Sequence, residues 1–574
     1  MTEPQRSPTL SEISDTAFPT AATPFAPDSP SRGTPDYRTS GSSSPGPVSS
    51  NSCETGHFTV SLPPLTPQQR LDHIISRIGF GKFQQRMLLL CGLGWLADNM
   101  WLQCVANILP RIQRHFSISD PVIGIMSSSI FTGMMLGALF WGFVLDTHGR
   151  RKAFRWTLSI SSGFGLAAGF SQSFPVLCFF LFGLGFGVGG NMPVDGAVFL
   201  EFIPKEYRYL LTLLSVFFSA GAVVASGLAL AVLPPFSCTL PECDVHQENN
   251  GWRYLLILMG LLNSGMLMAR TVFFQSQESP KFLVNKERHR DAIVVLRNIV
   301  KYNGDNLQLS MQDLPGPAEG QPLNSYTADD EATSSSPRAD SREGDIFIEN
   351  CLLEEAEIAQ KGEPGTHVVQ RAFHRGLRMI QPLFTPAHRR VTILVWTIWA
   401  LVALGYTMFN AFLPKILEGR DPAKDQSPSM ISVYRQALVY ALGSVPGPIL
   451  GAYLVQTRLG SRGAMAGCTF GAALALGWFT LSRAGWTSTV ASSTFSLLAG
   501  TMYAIIYSYT PEAFQTSSRG TACGIASALG RVAGVLAPLV AGVLWTLGPN
   551  WLLSLSITIL VAAGMSMLGL PSVH

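Results

Sequence analysis

Twelve apolar stretches, each about as long as the 20 or so helical residues that cross a bilayer core, leave this chain few ways to fold. They run near residues 84–110, 121–145, 153–172, 174–200, 209–234 and 252–275, and again near 389–414, 431–456, 463–483, 486–511, 519–546 and 549–570. The pattern is six, a long polar interval, then six. Water cannot satisfy backbone groups inside lipid, so such spans must be helices or a closed barrel. Barrel strands are about ten residues long and alternate in polarity, which these stretches do not. The expected fold is therefore an all-α membrane protein of twelve transmembrane helices, arranged as two six-helix bundles.

The polar residues agree with that division. Charged residues are 13 % of the chain, against about 25 % in soluble proteins. They crowd into the first eighty or so positions and into the stretch 276–390. The expected organisation is a disordered cytoplasmic tail over 1–82, an N-terminal bundle over 83–275, a largely disordered central loop over 276–387 and a C-terminal bundle over 388–574. The tail, with runs such as GSSSPGPVSSNS, is too polar to offset the entropy of ordering. Within the loop, IFIENCLLEEAEIAQ has the pattern of a short amphipathic helix. The start of the chain, MTEPQRSPTLSE, lacks the basic-then-apolar pattern of a cleavable signal, so the first span is expected to direct insertion itself. A formal net charge of +3 gives no reason to invoke nucleic acid.

Lys and Arg in short loops set orientation. Arg150, Arg151, Lys152 and Arg155 follow the second span, Lys205 and Arg208 the fourth, Arg458 and Arg462 the eighth, and Arg519 the tenth. The opposite loops are poorer in basic residues but hold Arg111, Arg114, Lys415, Arg420, Lys424 and Arg483. This bias places both termini and the central loop in the cytoplasm. The membrane is either the plasma membrane or that of an internal vesicle or vacuole. Of nine cysteines, Cys238 and Cys243 lie in the polar loop SCTLPECD, on the far side of the membrane, where a local disulfide is reasonable. No cysteine or histidine spacing suggests a metal.

The halves repeat one another at an offset of 311 residues. Asp146, Gly149, Arg151, Glu201 and Arg208 fall on Thr457, Gly460, Arg462, Glu512 and Arg519. Glu and Arg stand seven apart in both halves, in EFIPKEYR and EAFQTSSR. Two homologous bundles with a binding site between them are a known transporter plan.

The stretch GFVLDTHGRRK, from Gly142 to Lys152, resembles the signature loop of the major facilitator superfamily. GLGWLADNMWLQ, GFGVGGNMPVDGAVFLEFIP and YTPEAFQTSSRGTACGIASALGRVAG are similar to its synaptic-vesicle-glycoprotein-like and nicotinate-permease-like branch, and QESPKFL to the PESP-type element of sugar-porter-like proteins. The likeness covers about residues 70–570 apart from the central loop. It implies the two-bundle fold, alternating access, and a charge network closing the cytoplasmic face. That network draws on Gly142, Asp146, Gly149, Arg150, Arg151, Glu201 and Arg208, with Arg458, Gly460, Arg462, Glu512 and Arg519 in the second half. Thr457 in place of an Asp implies unequal gates. Members of the branch handle nicotinate-like acids, organic ions, sugars or phosphate, which leaves the substrate open.

Ionisable residues inside spans are costly, by about 2.5–3.5 kcal/mol or more, so each should face a cavity or a partner. Asp98 lies near the middle of the first span, Asp195 in the cytoplasmic third of the fourth, and Arg531 near the middle of the eleventh. Asp98 and Asp195 are candidates for proton coupling, since burial disfavours a charged carboxylate. Arg531 is a candidate ligand for a carboxylate or phosphate. A static Asp98–Arg531 pair is the competing reading. The resemblance implies that spans 1, 4, 7 and 10 line the cavity. They offer Asn99, Trp101, Gln103, Asn107, Asn191, Tyr406, Asn410, Tyr503 and Tyr507 as substrate contacts, with Tyr503 and Tyr507 one turn apart on one face. Helix-to-helix hydrogen bonding is the alternative role for each.

No Walker-type phosphate loop is present, so no nucleotide or other cofactor is expected, and no catalytic constellation points to an enzyme. The expected function is secondary transport of a small polar solute, an organic anion or a sugar-like molecule, coupled to protons. The expected partners are that solute, protons and the bilayer, with the chain a monomer. The rival reading is a non-transporting receptor or vesicle component on the same fold.

Overall fold

The computed structural model describes residues 67–207, 210–238, 243–273, 278–305, 307–314, 381–386, 388–419, 429–482, 485–514 and 516–571. The backbone there is helical, with no strand among the described residues. A first helix, α1 (Pro67–Ile78), precedes the membrane region. Then come α2 (Lys82–His115), α3 (Asp120–His148), α4 (Arg150–Ala168), α5 (Phe174–Phe202), α6 (Leu210–Val232) and α7 (Gly251–Phe273). Two short helices follow, α8 (Pro280–Asn285) and α9 (His289–Asn303). The second half holds α10 (Arg389–Glu418), α11 (Met430–Ser444), α12 (Gly447–Val455), α13 (Gly460–Leu481), α14 (Trp486–Glu512), α15 (Thr516–Leu547) and α16 (Pro549–Leu568).

Among the described residues, eleven stretches are long and apolar enough to cross a membrane, with α11 and α12 together forming one of them. The twelfth position belongs to α4. Its first two turns hold Arg150, Arg151, Lys152 and Arg155, which lowers its hydropathy, yet it packs lengthwise on α5 and α7. The twelve-span arrangement expected from the sequence is thus present.

Close helix contact comes from small residues. Along α3 and α5, Gly133 and Gly137 lie against the carbonyls of Phe182 and Phe186, and Gly185 and Gly189 lie against those of Ile130 and Met134. Each pair is spaced four apart, the small-xxx-small pattern that lets backbones touch. Between the halves, α2 packs on α10, α6 on α11, and α3 on α15. One apolar cluster draws on both halves, including Leu109, Met126, Phe409 and Phe412.

Two expectations of disorder are corrected. Residues 67–78 of the tail form α1, and residues 280–303 of the loop include α8 and α9. The reason is amphipathic packing. Leu71, Ile74, Ile75 and Ile78 of α1 share a buried cluster with Leu283, Val284, Ile293, Leu296 and Val300. Asp72 of α1 also bridges Lys281 at 2.9 Å and Lys205 at 3.0 Å. Asn303 accepts from the Phe83 amide at 2.9 Å, tying α9 to the start of α2. The IFIENCLLEEAEIAQ segment and the tail before residue 67 lie outside the described residues.

Candidate functional site

A cavity of about 230 Å³ lies between the halves. Seven of the ten proposed substrate contacts line it: Asn99, Gln103, Tyr406, Asn410, Tyr503, Tyr507 and Arg531. The aromatic residues form a wall from the second half. Tyr406 stacks on Phe495 at 6.1 Å and meets Tyr503 edge-on at 5.4 Å, while Tyr507 stands edge-on to Trp399 at 5.0 Å. The opposite wall is amide and hydroxyl. Asn99 already donates to the Phe218 carbonyl at 2.8 Å, which ties α2 to α6. Trp95 Nε1, Ser127 Oγ and Asn410 Oδ1 are buried lining atoms with no hydrogen-bond partner among the described residues. Such groups are costly to leave unmatched and mark places where a polar solute or water is received.

Three proposed contacts stand elsewhere. Trp101 is fully buried, and any side chain at Gly165 of α4 would meet its ring at 2.5 Å, so it is a packing residue facing away from the cavity. Asn107 accepts from Gln103 at 3.4 Å, one turn behind the lining. Asn191 turns into the first half and donates to Asp98 at 2.7 Å. The lining is also wider than spans 1, 4, 7 and 10. The second, fifth, eighth and eleventh spans contribute through Ser127, Ser215, Tyr440 and Ser527 among others. The sequence signal for these is faint, because single Ser and Tyr residues also satisfy themselves within membrane helices.

The buried charges fall into distinct settings. Arg531 of α15 reaches across to the first half, where its Nη1 donates to Met134 O at 2.7 Å and Gly189 O at 3.4 Å, at the glycine-lined crossing of α3 and α5. Among the described residues no protein acceptor engages the rest of its fork. The expected static Asp98–Arg531 pair is absent as a direct contact, although Asp98, Tyr507 and Arg531 lie within Coulombic reach of one another. Asp98 is fully buried; one oxygen accepts from Asn191 and the other has no partner among the described residues. Asp195 is different. It pairs with Arg270 at 2.5 Å, both fully buried, and Arg270 also donates to Phe154 O at 2.9 Å and stacks over the Phe154 ring at 4.0 Å. Arg270 was not singled out from the sequence, yet it stands in the apolar run MLMARTVFF under the same rule that selects Asp195.

The two ends of the cavity differ. At the end bearing the GRRK loop, Arg150 pairs with Glu201 at 2.8 Å. Glu278 accepts from the amides of Arg150 at 2.8 Å and Arg151 at 3.2 Å, so the QESP element caps α4. An acid at a helix N-terminus satisfies free donors and meets the positive end of the helix dipole. Gly149 precedes that cap at φ +95°, and a side chain there would meet Glu278 at 2.5 Å. Gly460, its counterpart, also has positive φ, at +62°. The second-half loop has no matching cluster among the described residues. Arg458 and Glu512 are exposed, Arg462 donates to the Leu568 carbonyl, and the Thr457 hydroxyl, just past the end of α12, donates back to Leu454 O. Gly142 has open space around it, and nothing in the structure requires glycine there. Arg208 and the side chains of Asp146 and Arg519 lie outside the described residues. Tyr507, nearest this end, is 45 % exposed.

At the opposite end several side chains are buried, Arg111 and Tyr434 among them. Cys238 and Cys243 are joined as a disulfide, which takes both sulfurs out of any metal site with Glu248. Arg111 is 1 % exposed and pairs with Glu418 of α10. Tyr434, also of the second half, is fully buried and donates to Asn107 O at 3.2 Å. The basic residues that weakened the loop-charge bias are therefore in part engaged between the halves.

Comparison with known proteins places this arrangement. The chain is 32 % identical over 474 residues to the MFS siderochrome iron transporter 1 of Ceriporiopsis subvermispora (strain B), across 81 % of this chain and 83 % of that one. The niacin transporter NiaP of Acinetobacter baylyi matches at 24 % over 467 residues, across 81 % and 88 %. The partially occluded inward-open structure of the xylose transporter XylE from E. coli aligns with a TM-score of 0.59 at 13 % identity, over 84 % of this chain and 97 % of that one, a likeness of fold. The sequence profile of the Major Facilitator Superfamily matches residues 89–538. With its twelve spans, repeated half and central cavity, this chain belongs to the major facilitator superfamily and is a membrane transporter.

Proposed function

We propose that the protein carries a small organic anion across its membrane by alternating access, coupled to a proton. The observation that carries this reading is Arg531, a cation on the cavity wall whose contacts are two backbone carbonyls rather than a carboxylate. A guanidinium so placed offers a bidentate site to a carboxylate or phosphate. The aromatic wall of Tyr406, Tyr503 and Tyr507 then suits an organic body on that acid. The niacin transporter among the relatives carries such a molecule by its name.

Asp98 is the preferred proton site. Asp195 has a cation in direct contact at 2.5 Å, so its charge is already matched. Asp98 has only a neutral amide in contact among the described residues; its longer-range charge balance comes from Arg270, itself paired with Asp195, and from Arg531, which lines the cavity. When a substrate anion binds Arg531, that balance is withdrawn, and Asp98 takes up a proton in its place. Anion and proton would thus move together, with the halves rocking around a site whose net charge stays even. The loop charges support an orientation with both termini in the cytoplasm. The exposed Tyr507 at the basic end and the buried Arg111 at the other then make this an inward-facing state.

Uptake into proteoliposomes under an imposed pH gradient tests the reading. The solutes are labelled monocarboxylates, sugars and organic cations, and the proteins are the wild type and Arg531→Ala. Gradient-driven uptake of acids, lowered at least about hundredfold in Arg531→Ala, is expected. Uptake of sugars that Arg531→Ala leaves intact would overturn the anion assignment.

A further inference from the structure

Beyond the cavity, α2 keeps a hydrogen-bonding side chain on each turn toward the disulfide end. Asn99 and Gln103 line the cavity, and Asn107 and Arg111 follow at the same spacing of four. Gln103, Asn107 and Arg111 are buried, at 2 %, 0 % and 1 % exposure. Polar groups are costly inside a membrane helix, and a run of them marks a solute path. This run abuts the second half. Tyr434 of α11 donates to the Asn107 carbonyl at 3.2 Å, and Arg111 meets Glu418 of α10 and Met430 of α11. It therefore stands where the halves part when the cavity opens toward this end.

Two donors on the run lack an acceptor among the described residues, Asn107 Nδ2 and Arg111 Nε. Gln103 Nε2 donates to Asn107 Oδ1 at 3.4 Å, which leaves the amino group of Asn107 as its unmatched end. Both unmatched groups are donors and stand one turn apart, so they call for an acceptor and not for a cation. The charges agree. Arg111 and Arg114 share one carboxylate, Glu418, with Arg114 at 3.6 Å, whereas Asp120 is matched by Lys415 at 2.5 Å. Glu418 also shows that a carboxylate fits against the Arg111 guanidinium. Glu418 belongs to the second half and leaves with it.

We propose that Asn107 and Arg111 form a second anion site, which receives the carboxylate of an organic acid passing between the cavity and the disulfide end. Glu418 covers this site in the present state, and the acid takes its place when α10 moves away. Arg531 is then the inner station of the acid and Arg111 the outer one. The site rests on the anion and alternating-access reading above, but its charge preference is measurable without transport.

The test is the reactivity of a thiol placed at the site. Full-length Asn107→Cys, carrying also Cys53→Ser and Cys351→Ser, is reacted in nanodiscs with two methanethiosulfonates. One ends in a sulfonate and the other in a quaternary ammonium, and each rate is divided by that with a small free thiol. Cys91, Cys104, Cys178 and Cys468 are buried and Cys523 is partly so, and the same chain with Asn107 intact gives their background. The sulfonate is expected to be preferred at least about tenfold. Arg111→Gln should abolish that preference, and Arg531→Ala should keep it. Arg111→Gln also breaks the contact with Glu418 and raises both rates, but a structural role alone leaves their ratio unchanged. Ala106→Cys, a smaller change on the cavity wall beside Asn107, is the second reporter should Asn107→Cys not fold. Equal normalised rates, a preference that survives Arg111→Gln, or no reaction at either position would overturn the outer site. Arg531-dependent uptake of acids without the preference would leave the anion reading standing and remove this site. The preference without uptake of any acid would remove that reading and leave the site.

Discussion

Asp98 and Asp195 are both fully buried acids of the first half, and their neighbours separate their roles. Breaking a buried ion pair by removing one partner costs about 3–5 kcal/mol, whereas replacing both by apolar groups is often neutral. Arg270→Met should therefore lower thermal stability in detergent strongly, and Arg270→Met with Asp195→Leu should recover most of it. A double variant as unstable as the single one would show that Arg270 acts chiefly through its bonds to Phe154 and Leu90. Gly94 belongs to the same argument, since any side chain there would press on Asp195 and Arg270 together. The sequence made Asp98, Asp195 and Arg531 visible because a charge in an apolar run is rare and costly. It did not make their partners visible. Which way Asn191 turns depends on helix rotation, and a polar residue reads the same whether it faces the cavity or a neighbouring helix.

At the scale of elements, the crossing of α3 and α5 does two things at once. Its glycines bring the backbones together, and the same crossing supplies the Met134 and Gly189 carbonyls that hold Arg531. Gly189→Val should separate the helices and displace Arg531, so that substrate affinity falls along with stability. Stable protein with unchanged affinity would contradict the link. The amphipathic helix α1 is a separate element, docked through its apolar face and Asp72. Partial burial works to raise the carboxyl of Asp72, but hydrogen bonds and charge from Lys281 and Lys205 outweigh it and hold the group below the usual range. A group lowered in the folded state stabilises docking fully above about pH 4, where the undocked carboxylate is ionised. That contribution is lost as pH falls through the lower folded value. Protection of the amides of residues 67–78, measured against their intrinsic exchange rates, should fall in that acid window, and Asp72→Asn should show the lowered protection already at neutral pH. Exchange independent of Asp72 would mean that the apolar face alone holds the helix. The membrane spans were legible from length and polarity, whereas α1 and α9 were not. Their apolar residues recur at helical spacing inside charge-rich stretches, and the average composition hides the face they form.

For the whole molecule, the repeat at 311 residues accounts for two matched bundles, and the bundles also differ. The first half has a closed network at Arg150, Glu201 and Glu278, and the second half keeps Arg458 and Glu512 exposed. Thr457 in place of an Asp is a further difference between the halves, visible in the sequence. The ion pairs at the far end were hidden, because loop charges counted toward orientation give no hint of their partners across the cavity. The coupling of anion to proton through Asp98 and Arg531 is the centre of the account, and separating exchange from accumulation tests it most directly. In proteoliposomes, Asp98→Asn should still exchange a labelled organic acid against unlabelled acid at equal pH. It should no longer accumulate that acid against its gradient when a pH difference is imposed. Accumulation by Asp98→Asn equal to that of the wild type would contradict the account.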